Sequence, residues 1–139
     1  MQDLERFVTA QEPVLEAALA ELRAGHKRTH WMWFVFPQLR ALGRSERALF
    51  YGINDLCEAQ DYLAHPVLGP RLLECTEAAM TGYPRTAHQI FGSPDEMKFR
   101  SSMTLFDRTR NAPETFGRAL DLFYDSPDPA TVRLLAQAQ

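Results

Sequence analysis

The segment 26–39 constrains the fold more than any other part of this 139-residue chain. It contains both tryptophans, Trp31 and Trp33, and Phe34 and Phe36 follow directly. Large aromatic side chains dominate the energetics of protein cores, and a buried indole N–H needs a hydrogen-bond partner. A segment so rich in aromatic rings must therefore form either the centre of the core or the floor of a pocket.

The sequence leaves the conformation of this segment ambiguous. In a strand, residues 30, 32, 34 and 36 would face one side and residues 31, 33 and 35 the other, and both sets consist of large side chains, as in a strand buried on both faces. A short apolar run can equally be a turn of buried helix. Pro37 disfavours helical geometry at Phe36 and ends any helix there. Because no second convincing strand is present to pair with it, we interpret 29–35 as buried helix or extended coil.

The rest of the chain carries repeated signals for short helices. N-cap signals stand at Ser45, Asp55, Thr86, Ser93 and Asp128, prolines suited to a first turn at Pro13, Pro66, Pro94, Pro113 and Pro129, and glycine stops at Gly25, Gly82 and Gly92. Apolar residues recur at helical spacing between these signals. In the helix after Ser45, which should run to about Ile53, we expect Leu49 and Phe50 to point inward. The pattern predicts an all-α protein, a compact single domain over 1–139 with seven or eight short helices around the aromatic-rich segment.

Composition and charge narrow the class of protein. The net charge of −3 provides no basic face for nucleic acid, and no apolar run approaches the length of a membrane span. The N-terminus lacks the apolar core of a signal peptide. Cys57 and Cys75 are most simply two free thiols in a reducing compartment. We therefore expect a cytoplasmic protein, a monomer or homodimer, that uses neither nucleic acid nor membrane as a partner.

Cationic residues around the aromatic segment indicate a binding site for an anion. Lys27, Arg28, Arg40 and Arg44 flank the segment, and Ser45 begins a helix whose free N–H groups attract anions. Such charges are usually just a solvated surface. Beside an aromatic wall, however, they would suit a ligand that bears a phosphate.

A second candidate lies in the predicted helix 94–108. Lys98 and Ser102 are one turn apart at the edge of its buried face, and a desolvated lysine can activate a neighbouring hydroxyl. The simpler interpretation is that Lys98 extends to water while Ser101 and Ser102 donate to the carbonyls four residues back. We therefore favour a role in ligand binding over nucleophilic attack.

These arguments yield a set of predicted ligand-binding residues, with the catalytic residues and any cofactor left unknown. The set is His30, Trp31, Trp33, Gln38, Arg44, Ser45, Lys98, Ser101 and Ser102. The four histidines lack metal-ligand spacing, so no metal is expected. The leading hypothesis is binding of a nucleotide-like or other anionic small molecule, with hydrolysis of an N-glycosidic bond as a possible activity. The alternative is a non-catalytic protein-interaction module whose aromatic segment is only core.

Two motifs carry a resemblance to a known family. They are His-Trp-Met-Trp-Phe-Val-Phe-Pro-Gln-Leu at 30–39 and Lys-Phe-Arg-Ser-Ser-Met-Thr-Leu-Phe at 98–106. With further matches at 4–8, 21–25 and 62–72, the chain resembles the bacterial family called domain of unknown function 1810. The resemblance implies a compact, mostly helical protein without an established reaction. The label calpastatin, sometimes given to such proteins, does not fit, since that inhibitor is disordered and this chain is rich in aromatic residues.

A second resemblance is to the YbiA-like family, which processes ADP-ribose. It rests on Gly43 and Arg44 followed by a helix and then by the segment 62–76. This resemblance implies that Trp31 or Trp33 stacks a base or nicotinamide and that Arg44 holds a phosphate. The acidic catalytic positions of that family do not map cleanly onto this chain.

Overall fold

Short helices make up nearly all of the regular structure in the computed structural model, which describes residues 3–137. The α-helices are α1 Glu5–Gln11, α2 Leu15–Arg23, α3 Met32–Val35, α4 Glu46–Phe50, α5 Leu56–Ala64, α6 Leu68–Met80, α7 Ala87–Phe91, α8 Asp95–Asp107, α9 Glu114–Phe123 and α10 Pro129–Gln137. A 3-10 turn, Arg40–Leu42, lies between α3 and α4. The all-α prediction is confirmed, with ten α-helices in the described residues rather than seven or eight.

Local capping explains where several of these helices begin or end. The side chains of Ser45 and Asp55 accept the N–H of Ala48 and Glu58, as N-caps do. Thr86 and Gln89 form a capping box, and Asp128 accepts the N–H of Thr131 at the start of α10. Gly25 and Gly92 have φ of 74° and 75°, the left-handed geometry that ends a helix. The helices expected at Pro13 and Pro66 begin two residues later, at Leu15 and Leu68.

Helix α8 is the central element, and it packs against α3, α5, α7, α9 and α10. Its extent agrees with the prediction, but the prediction that Ser93 caps it is wrong. The Ser93–Pro94 peptide bond is cis, and Pro94 occupies the cap position without a side-chain hydrogen bond. The first turn closes instead on Gly92, whose carbonyl accepts the N–H of Glu96 at 2.9 Å.

The ambiguous aromatic segment forms one turn of helix, α3. This turn lies between Trp31 and Pro37, so the proline ends it as expected. Phe36 then packs edge-on against Phe91 of α7 and Phe99 of α8, with ring centroids 6.0 and 4.9 Å away. One side of this segment therefore lies at the centre of the core.

Helix α4 is shorter than predicted, and its large apolar residues face outward. It ends at Phe50 because Ile53 leaves to pair with the preceding loop: Arg40 N–H donates to the Ile53 carbonyl, and Ile53 N–H to the Gln38 carbonyl. Ala48 is the residue that α4 buries. Leu49 and Phe50 are 38% and 57% exposed, so the expectation that they point inward is wrong.

No helix within residues 3–137 combines the length and the apolar character needed to cross a membrane.

Candidate functional site

Glu21 on α2 fixes the loop that leads into the aromatic segment. Its Oε1 accepts the N–H groups of Arg28 and Thr29 at 2.7 and 3.0 Å and the indole N–H of Trp31 at 3.0 Å, and its Oε2 accepts the Thr29 hydroxyl at 2.6 Å. Desolvation raises the pKa of this carboxyl, but these hydrogen bonds outweigh it and lower the pKa to about 2. The charged carboxylate thus holds residues 28–31 in one conformation.

The two tryptophans have different environments. Trp31 is fully buried, and its indole N–H is satisfied by Glu21, so its ring belongs to the core and not to a surface that a ligand reaches. Trp33, two residues later, is only partly buried. Of the two predicted aromatic walls, the structure therefore leaves Trp33 accessible.

Two cations from different helices lie over the ring of Trp33. The guanidinium carbon of Arg47, on α4, and the Nζ of Lys98, on α8, are each 5.0 Å from the ring centroid. Both distances are within the range of cation–π attraction. Arg47 was not among the predicted residues, because nothing local in the sequence of α4 shows that it reaches the aromatic segment.

A carboxylate at the start of α8 links Lys98 to a second lysine. Asp95 lies 2.9 Å from Lys27 Nζ and 3.8 Å from Lys98 Nζ. The Lys27 side chain is 7% exposed and also lies over Trp31, 5.0 Å from its centroid. The i, i+3 spacing of Asp95 and Lys98 on α8 is the sequence signal from which their ion pair could have been predicted. The ammonium groups of Lys27 and Lys98 therefore share one carboxylate.

An open cleft of ≈ 620 Å³ lies beside Arg47, which forms part of its lining. Phe34, Phe50 and Tyr51 supply much of its apolar wall, while His30 and Arg47 contribute polar groups. Phe50 is available to line the cleft because α4 turns it outward. Predicted residue His30 is thus exposed at a concave surface that it shares with Arg47.

A much smaller cavity of ≈ 10 Å³ lies between α3, α4 and α8. Trp33, Gln38 and Lys98 line it, together with Tyr51, which also lines the larger cleft. A volume of this size is about that of one water molecule. Three of the predicted residues are therefore brought together at a single small cavity.

The serines of α8 serve other purposes. Ser101 Oγ lies 3.0 Å from the Met97 carbonyl and 3.2 Å from Asp128 Oδ2, which ties α8 to the start of α10. Ser102 is fully buried, and within residues 3–137 its Oγ has no hydrogen-bond partner. The described residues therefore contain no Lys98–Ser102 hydrogen bond, which a serine nucleophile would need.

Arg44 and Ser45 lie at the start of α4. The Ser45 hydroxyl is occupied in capping this five-residue helix. Arg44 is exposed and lines neither the ≈ 620 Å³ cleft nor the ≈ 10 Å³ cavity. The structure thus gathers His30, Trp33, Gln38 and Lys98 around the cleft and the cavity and leaves Arg44 at the surface.

Comparisons with known proteins agree with the resemblance found in the sequence. The family model described as "Protein of unknown function (DUF1810)" matches residues 1–135. A conserved hypothetical protein from Mycobacterium tuberculosis, known from a crystal structure, is 54% identical, with a TM-score of 0.94 and 96% of each chain covered. No curated protein matches the chain. The chain therefore belongs to the DUF1810 family of proteins of unknown function.

Proposed function

We propose that this protein binds a small anionic molecule at the cluster of Trp33, Arg47 and Lys98. The observation that carries the proposal is the position of two cations, each 5.0 Å from the centre of one partly exposed indole ring. Two cations around one ring repel each other, so a site of this kind favours an anion that binds beside them.

The counter-charges within the protein are too few to neutralise the cluster. The ion pairs among residues 3–137 do not include Arg47. Lys98 faces Asp95 at 3.8 Å, but the same carboxylate lies closer to Lys27, at 2.9 Å. The Coulomb attraction between an anion and one of these cations about 4 Å away is about 4 kcal/mol at an effective dielectric constant of 20, before desolvation and salt screening reduce it.

The neighbouring cleft supplies room for the remainder of the molecule. Phe34, Phe50 and Tyr51 offer apolar and aromatic contact there, and His30 offers a hydrogen-bonding ring. Pockets that combine an apolar wall with a few convergent polar groups are typical of small-molecule sites. A cytoplasmic location of the protein is also part of the proposal, and the unpaired thiols of Cys57 and Cys75 support it.

Hydrolysis of an N-glycosidic bond is a narrower form of the same proposal. It would need a general acid or base beside the bound molecule. His30 and Glu46 line the cleft and are the residues that such an activity would use. Release of base or nicotinamide from any nucleotide that binds is the corresponding assay.

The binding proposal is tested by thermal unfolding with nucleotides, NAD, ADP-ribose and inorganic phosphates. A ligand at 100 times its dissociation constant stabilises by about 2.7 kcal/mol and raises the midpoint by several degrees. The shift should disappear in Lys98→Met and Arg47→Met and persist in Arg110→Met, a control that removes an exposed arginine outside the cleft and the cavity. An equal shift in all three variants, or no shift with any anion, would refute the proposal.

A second candidate function is a protein-interaction module without catalysis. It is favoured by the exposure of Leu49 and Phe50 on α4. Exposed apolar side chains beside a cleft are suited to contact with another protein. Loss of partner capture in Phe50→Ser but not in Lys98→Met, with no small-molecule binding, would favour this function over the first.

A further inference from the structure

On the basis of the anion binding proposed above, we infer that the ligand is a dianion held through a phosphoryl-type group and not through a stacked base. The structure offers three independent reasons. They concern the faces of the indole ring, the balance of charge and the shape of the small cavity.

The ring of Trp33 is already occupied by cations. Lys98 Nζ and the guanidinium carbon of Arg47 both lie over it at 5.0 Å from the centroid, where a stacked base would also have to lie. The other indole, that of Trp31, is fully buried. A base or nicotinamide stacked where either cation lies would have to displace it, whereas an anion can bind beside the cations without displacing them.

The charges of the cluster, together with those of the neighbouring Lys27 and Asp95, call for a ligand with two negative charges. Lys27, Lys98 and Arg47 contribute three positive charges, and Asp95 contributes one negative charge to the two lysines. A monoanion would leave this cluster positively charged, but a dianion would neutralise it. Glu46 lines the neighbouring cleft and is the nearest further carboxylate in the sequence, yet it forms no ion pair with Arg47 among the described residues.

The small cavity has the size and the donors for one oxygen atom of such a group. Its volume is ≈ 10 Å³, and its lining includes Trp33, Gln38 and Lys98, whose side chains carry N–H donors. A phosphoryl group has three acceptor oxygens, so one can enter the cavity while the others face Arg47 and Lys98. A carboxylate, with two oxygens, would satisfy fewer of these donors.

The test compares two probes of similar shape and different charge. Methyl phosphate has a second pKa near 6 and is mostly a dianion at pH 7 and mostly a monoanion at pH 5, whereas methyl sulfate is a monoanion at both. Binding of each is measured by calorimetry at both pH values and constant ionic strength. Methyl sulfate reports any effect of the other ionisable groups beside the site, namely His30, Glu46 and Asp95.

We expect methyl phosphate to bind at least tenfold more tightly than methyl sulfate at pH 7 and to lose about tenfold in affinity at pH 5, in step with its dianion fraction. Lys98→Met and Arg47→Met should each abolish this preference, with the exposed Arg110→Met as the matched control. Unfolding midpoints without ligand identify any variant that fails to fold, in which case the other variant decides.

Two failures are distinguishable. The dianion inference is refuted if methyl sulfate binds as tightly as methyl phosphate at pH 7, or if uncharged adenosine binds and Trp33→Leu abolishes that binding. In either case, the binding measured for Lys98→Met and Arg47→Met decides whether anion binding at the cluster still holds. If neither probe binds, or if both bind Lys98→Met and Arg47→Met as well as wild type, the proposed function fails and the inference fails with it.

Discussion

Removing the Glu21 carboxylate should destabilise the protein more than removing any other acidic side chain on α2. Four donors converge on this group, among them the indole N–H of fully buried Trp31. In Glu21→Ala the indole donor loses its partner, and water cannot replace it easily. Residues 28 and 29 also lose the acceptor that orders their backbone.

The magnitude follows from two contributions. A buried donor left without a partner costs about 1–3 kcal/mol, and a hydrogen bond to a charged group contributes about 1.5–3 kcal/mol. Since the backbone donors of Arg28 and Thr29 are exposed and can bind water, we expect a total loss of about 3 kcal/mol. For a domain of this size that corresponds to a fall in the unfolding midpoint of roughly 10 °C.

The same carboxylate makes stability depend on pH. Its pKa is about 2 in the folded protein and 4.5 ordinarily, so between these values the unfolded chain binds more protons than the folded one. Stability from this group is therefore complete above pH 4.5 and is lost as the pH falls towards 2. The full difference would be about 3.4 kcal/mol, which solvent screening of this partly exposed group reduces to about 1–2 kcal/mol.

Urea unfolding of wild type, Glu21→Ala and Glu21→Gln between pH 2.5 and 7 measures both effects. Glu21→Gln should lose part of the decline in stability below pH 4.5, since it has no carboxyl to protonate. Glu16→Ala, an exposed acidic residue of the same helix, is the matched control and should change stability by about 0.5 kcal/mol or less. A loss below about 1 kcal/mol in Glu21→Ala, or the same decline in Glu21→Gln as in wild type, would contradict this account.

Two further predictions concern a buried ion pair and the cysteines. Glu58 Oε2 is buried, has no hydrogen-bond partner within residues 3–137 and lies 3.5 Å from Arg6, whose other N–H groups donate to the carbonyls of Phe50 and Gly52. Arg6→Met should therefore lower the free energy of unfolding by about 3 kcal/mol, because it leaves a buried carboxylate without its partner. Urea titration beside the exposed control Arg110→Met measures this loss, and equal stability of the two variants would contradict it. Burial raises the pKa of the Cys75 thiol to about 12, whereas Cys57 is exposed. A thiol reagent at pH 8 should therefore modify one cysteine in the native protein and two in denaturant; rapid modification of both in the native state would disprove the burial of Cys75.

Much of the candidate site was visible in the sequence, but its arrangement was not. His30, Trp33, Gln38 and Lys98 were predicted from the two aromatic and serine-rich motifs, and they line the cleft or the cavity. Arg47 was missed because nothing local in the sequence of α4 shows that its side chain reaches Trp33. The pairing of Ile53 with the loop at Gln38 shortens α4, and Leu49 and Phe50 face outward instead of inward.

The sequence by itself determined the helical class and most helix ends. Asp55, Thr86 and Asp128 cap their helices through side chains that reach N–H groups three residues away, so the interaction is written in adjacent positions. Gly25 and Gly92 end helices for an equally local reason, their left-handed backbone.

Only the tertiary structure decided which tryptophan is fully buried and which is partly exposed. Trp31 and Trp33 stand in nearly the same local sequence, but Trp31 meets a carboxylate from α2, and Trp33 meets cations from α4 and α8. These partners come from separate helices, and packing around α8 brings them together. Local sequence specifies hydrogen bonds within a turn, whereas the environment of a side chain depends on which distant elements pack against it.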